Sequence, residues 1–163
     1  MREILFRGKD PETGKWYEGQ YIHLHKTTYA VKGDYDANPG NEIHQIVFER
    51  MTDWGLPNEY LRADVDPETV CQYIGLVDKN GKKIFQGDIL TSSKYPFSAK
   101  GERNYYALVV CFDNSPAFGL ETCVAAGATV AGISDGNTEY IEDWEPSYWE
   151  VVGNIFDTPE LLR

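Results

Sequence analysis

Apolar and polar positions along this chain alternate in short runs, and turn residues interrupt the runs at close intervals, a pattern that predicts strands joined by hairpins. The densest example is residues 65–90, VDPETVCQYIGLVDKNGKKIFQGDIL. Asp66-Pro67-Glu68-Thr69 suits a tight turn, because proline presets φ and the aspartate can accept from a backbone N–H two residues on. Residues 70–77, rich in β-branched and aromatic side chains, form a strand. Asp78-Lys79-Asn80-Gly81 reverses it, since Asn and Gly tolerate the positive φ of hairpin turns. Residues 83–85 return as a second strand, Gly87-Asp88 breaks the run, and Ile89-Leu90 opens a diverging one.

The same grammar extends over the rest of the chain. Residues 4–7 start extended, Asp10-Pro11-Glu12-Thr13-Gly14 turns, and residues 15–24 return with Trp16, Tyr17, Tyr21 and Ile22. Strand is expected to continue over 21–31, followed by loop over 32–41, where Gly, Asp, Asn and Pro concentrate. Residues 42–51 are expected as strand on Ile46-Val47-Phe48, although Ile43, Ile46, Val47, Met51 and Trp54 also fit a helical stripe. Residues 55–58 turn, and 59–65 lead back to the central hairpin. Residues 91–104 are expected as an exposed loop or an extended hairpin tip, 105–112 and 118–124 as a paired hairpin, 127–138 as a flexible segment, and 139–144 and 148–156 as extended. Thr158-Pro159-Glu160-Leu161-Leu162 predicts one helical turn, with Thr as N-cap and Pro at the first helical position.

Three blocks carry a family resemblance. Residues 65–90, together with EILFRGKDPETGKWYEG at 3–19 and YWEVVGNIFDTPELL at 148–162, resemble in order the central, opening and closing signatures of the YopX family of phage and prophage proteins. Cys71 stands where that family usually has glycine, and Ile74 where it has threonine. The resemblance implies a phage or prophage origin and an all-β fold: a small SH3-like barrel plus a second antiparallel sheet, closed by the short C-terminal helical turn. It implies no catalytic or binding residue. The chain is expected to form a single domain over 1–163, with a possible subdivision into an N-terminal sheet, 1–64, and the barrel, 65–163.

Composition narrows the function. Hydrophobic residues make up 42% of the 163, enough for a core without staples. No apolar run approaches the roughly 18 residues of a membrane span and no secretory segment follows Met1, so a host-cytoplasmic protein without a membrane partner is expected. Cys71, Cys111 and Cys123 lack metal-type spacing and are expected as reduced, buried thiols. The net charge of −11 is uneven: residues 1–103 carry −2 and residues 104–163 carry −9, with Arg163 the sole base among the latter. Such a distribution disfavours direct DNA binding, which needs clustered Lys and Arg.

Candidate chemistry is sparse. His23 and His25 project from one face of a strand and with a carboxylate could ligate zinc, but no third ligand lies near in sequence and His44 stands alone. Ordinary surface histidines are therefore expected, with no metal or other cofactor. No nucleophile elbow, H-E-x-x-H or P-loop occurs, so catalytic residues are expected to be absent. The segment 139–150 interleaves aromatics with acids, a combination suited to gripping proline-rich, basic peptides. Glu139, Glu142, Asp143, Trp144, Glu145 and Tyr148 are thus the candidate partner-binding residues, set against a plain reading in which most of the rings are core. The expected function is a non-enzymatic phage or prophage accessory protein that binds a host or phage protein as a homo-oligomer. An acidic DNA mimic that inhibits a nucleic-acid-binding host protein is the alternative, and a hydrolase the least supported.

Overall fold

The computed structural model describes residues 3–92, 105–112, 117–124, 138–140 and 148–162. The fold is mostly β, with two antiparallel sheets and few helices. Among the described residues no helix is long and apolar enough to cross a membrane. The chain divides into two compact units, Glu3–Gln72 and Tyr73–Arg163.

The first unit is a meander. Strands β1 (Phe6–Lys9), β2 (Trp16–His25), β3 (Glu42–Arg50) and β4 (Glu59–Asp64) pair with their neighbours in sequence, and the start of β5 (Cys71–Val77) returns beside β1. The Asp10 carboxylate builds the first turn by accepting from the Glu12 and Thr13 N–H groups at 2.9 and 2.8 Å. Asp66 does the same at the entry to β5, accepting from Glu68 N–H at 3.0 Å. The buried Thr69 hydroxyl then accepts from Lys9 N–H at 2.9 Å and fixes that turn against β1. Ile46, Ala63, Val65 and Cys71 are the unit's buried apolar side chains. The Tyr17 and Phe48 rings stack at 5.2 Å, a cross-strand contact typical of sheet stabilisation.

Residues 26–41 depart from expectation. Strand β2 ends at His25, and the expected loop contains a short helix α1 (Lys32–Asp36) and a 3-10 turn at Pro39–Asn41. Asn41 is the cause. Its buried side chain accepts from Thr27 N–H and donates to Thr27 C=O, both at 2.8 Å, closing the ladder where strand would otherwise continue. The Tyr35 hydroxyl accepts from Tyr29 N–H at 2.9 Å and holds the helix over that corner.

In the second unit the rest of β5 turns into β6 (Lys83–Phe85). The turn is the one expected: Asp78 C=O accepts from Gly81 N–H at 2.9 Å, and Gly81 sits at φ +79°, which glycine adopts without penalty. The Asp78 carboxylate does more than cap. Oδ1 accepts from the N–H groups of Asn80 and Lys82 at 2.8 and 2.9 Å, and Oδ2 from Val151 N–H at 3.1 Å, 73 residues away in sequence. Burial pushes this carboxyl up, but the hydrogen bonds from Val151, Lys82 and Asn80, with the Lys82 charge, outweigh it and hold the group below the usual aspartate range.

Strands β7 (Asp88–Ser92), β8 (Tyr105–Cys111), β9 (Phe118–Val124), β10 (Thr138–Tyr140) and β11 (Trp149–Asn154) form the second sheet in the order β10-β9-β8-β7-β11. The described pairings leave it an open sheet, so they do not establish a closed SH3-like barrel. The chain diverges at Gly87-Asp88, where the buried Asp88 accepts from Phe85 N–H at 2.8 Å and Gly87 N–H donates to Val109 C=O at 2.8 Å. Thr91 and Ser92, expected in an exposed loop or an extended hairpin tip, are buried in β7, where they pair with Glu150 and Trp149 of β11. The core is Ile74, Ile84, Leu90, Ala107, Val109, Phe118 and Leu120, with Leu76, Trp149 and Val151 packed against it. Cys71 and Cys123 are buried as expected, whereas Cys111, near the exposed end of β8, is not. The final turn, Pro159–Leu162, is 3-10, and the Thr158 hydroxyl does not cap it but reaches back to accept from Asn154 N–H at 3.0 Å.

Candidate functional site

The acidic-aromatic segment lies mostly outside the described residues, and this holds for Glu142, Asp143, Trp144 and Glu145. Glu139 falls within β10, where its backbone pairs with Leu120 of β9. Tyr148 is half-buried just before β11. The adjoining Trp149 packs on the core, and Glu150 pairs with Lys79 at 2.6 Å.

The first unit gathers a different set of side chains. Pairing of β2 with β3 places His23 opposite His44 and His25 opposite Glu42. Because alternate residues of a strand share a face, the H-x-H of β2 and the E-x-H of β3 meet there. The His23 and His44 rings stack at 4.5 Å. Both present Nε2 to one oxygen of Glu42, at 3.6 Å from His23 and 3.1 Å from His44. The other nitrogen of His44, Nδ1, lies 2.6 Å from the Tyr21 hydroxyl. His25 sits further along the same face, edge-on to Tyr35 at 4.8 Å and 5.7 Å from His23.

The electrostatics follow from this geometry. The hydrogen bond with His44 is the main cause holding the Glu42 carboxyl below the usual glutamate range; desolvation opposes it, and the electrostatic influence of His23, His44 and His25 adds to the lowering. Burial, reinforced by the Glu42 charge, pushes the Tyr21 phenol up, so the hydroxyl stays protonated and serves as donor or acceptor to His44. His44 and Glu42 were not legible as site residues from spacing to His23 in the chain. The signal that finds them is the period-two repeat of ligand-type residues on two strands that pair.

A third feature is apolar. The β3–β4 hairpin tip exposes Met51, Trp54 and Leu56, and β4 exposes Tyr60; Trp54 is wholly in solvent and Met51 is 81% exposed. Polar contacts brace the tip. Arg50 pairs with Glu59 at its base, Asn58 donates to Glu49 at 2.7 Å, and the Thr52 hydroxyl donates to Pro57 C=O at 2.9 Å. Strand β4 is paired on one side by β3, and no strand among the described residues pairs with its other edge.

Fold and sites together define a small antiparallel β protein of two units, with a histidine-rich sheet face and an apolar hairpin on the first of them. The family model described as YopX protein matches residues 5–163, and the chain belongs to that family. No curated protein matches it. Among solved structures, it is similar to the crystal structure of protein EF1440 from Enterococcus faecalis, at 20% identity over the whole of both chains with a TM-score of 0.49.

Proposed function

We propose that this YopX-family chain is a non-enzymatic accessory protein of phage or prophage origin. In this reading it works in the host cytoplasm as a homo-oligomer that binds a host or phage protein. The observation that carries the self-association is the braced hairpin with Met51, Trp54, Leu56 and Tyr60 in solvent beside the edge of β4. Exposed apolar clusters of this kind are typical of interfaces, and an open strand edge invites pairing. The occupant is a second copy. Two β4 strands paired antiparallel about Leu61 set Tyr60 of each opposite Arg62 of the other, a twofold arrangement in which ring and guanidinium attract. The non-enzymatic reading is supported by the openness of the His23, Glu42 and His44 face, whereas catalytic sites are usually concave. The order β10-β9-β8-β7-β11, in which the last strand flanks the first of the sheet, supports reading the second unit as an SH3-like barrel. For the partner contact, the −9 charge of residues 104–163 favours a basic surface. Capture of such a partner should weaken as salt rises and its charges are screened beyond about 8 Å.

Light scattering should give a mass about twice that of the monomer. Trp54→Ser with Tyr60→Glu is expected to weaken self-association by about 100-fold while circular dichroism stays unchanged. A wild-type chain that remains monomeric at high concentration would overturn the reading.

A further inference from the structure

We propose that His23, Glu42 and His44 form a binding site for a divalent cation of the zinc type, with Tyr21 as the residue that positions His44. The inference is independent of the self-association described above, because the three ligands lie on β2 and at the start of β3, not on β4.

The donor set is chemically right. Imidazole nitrogen and carboxylate oxygen suit a borderline cation such as Zn2+, and two His with one Glu is a recurrent three-ligand set that leaves a position for water. The spacing is right as well. Bonds of about 2.0–2.2 Å in tetrahedral geometry place neighbouring donor atoms roughly 3.3–3.6 Å apart. Here the Glu42 oxygen stands 3.6 Å from His23 Nε2 and 3.1 Å from His44 Nε2, and all three donors lie within 4.8 Å of one another. His23 and Glu42 are both 45% exposed, so small side-chain rotations can draw them onto a common centre, while His44, at 16%, is the fixed member.

The outer contact completes the case. A metal-bound histidine donates its second ring N–H to an oxygen that fixes the ring and its tautomer. His44 Nδ1 has the Tyr21 oxygen at 2.6 Å in that role. When a cation takes Nε2, the proton resides on Nδ1 and Tyr21 accepts it. Without a cation, Nε2 carries a proton to Glu42. Binding therefore replaces the His44–Glu42 hydrogen bond with three metal–ligand bonds, and the one to His23 cross-links β2 to β3. His25, edge-on to Tyr35, is not a ligand, and water takes the fourth position.

The test is equilibrium dialysis of the full chain, stripped with chelator, against Zn2+ in a Cys111→Ser background that removes the exposed thiol as a competing ligand. One zinc per chain is expected. Affinity should fall at least about tenfold in each of His23→Ala, Glu42→Gln and His44→Ala, and about tenfold in Tyr21→Phe. His25→Ala should bind as the parent does. The thermal midpoint should rise with zinc in the parent and stay fixed in His44→Ala, and nitrogen chemical shifts should place the His44 proton on Nδ1 only when zinc is bound. Circular dichroism without metal verifies that each variant folds. Less than one zinc per chain, parental affinity in folded His44→Ala or Glu42→Gln, or equal loss in His25→Ala would overturn the assignment.

Discussion

Asp78→Ala should destabilise the second unit by about 3–4 kcal/mol, read from urea denaturation, since a hydrogen bond contributes about 1–1.5 kcal/mol even without the strengthening that charge adds, and three are lost together. The carboxylate collects N–H groups from Asn80, Lys82 and Val151, so its removal loosens the hairpin turn and its tie to β11 at once. Asp78→Asn keeps one oxygen and should lose less. The contribution also depends on pH in a definite direction. The folded group titrates below its unfolded value of about 3.9, so the stabilisation is fully present above that pH and is lost as pH falls through the folded value. The stability gap between wild type and Asp78→Asn should therefore be constant near neutrality and shrink below about pH 4. A gap that stayed constant down to pH 2 would refute the assignment.

Gly19→Ala should cost the first unit about 3 kcal/mol, because the added methyl cannot be accommodated by a side chain alone. Gly19 is buried in β2, and a Cβ there would run into the carbonyl group of Val47 and the Ile46 side chain on β3. Backbone is the obstacle, so β2 and β3 must separate. That separation also carries His23 away from His44, and Gly19→Ala should lose zinc affinity although no ligand is altered. A parental denaturation midpoint would show that the strands already have room.

Much of the fold was legible because its turns are local. Asp66, Asp78 and Asn80-Gly81 announce themselves by residue type, and the expected positions of the central hairpin and of β8 with β9 match the structure. The misreadings occur where distant atoms decide. Helix α1 and the end of β2 depend on Asn41 reaching back to Thr27, and Thr91 and Ser92 join β7 by pairing with Glu150 and Trp149 of β11, which are distant in the chain. The histidine site failed to show for the same reason. His23 and His44 meet only once the β2–β3 register is set, and the connection over 26–41 does not fix that register by its length.

Cys111 gives the molecule an unintended chemistry. An exposed thiol that meets another in air is joined to it as a disulfide, with dioxygen taking up the electrons. Two chains linked through the end of β8 would travel together on a sizing column whether or not their β4 edges ever touch. A species of double mass counts as edge pairing only in the presence of reductant, and one that dissolves on reduction reports storage history instead.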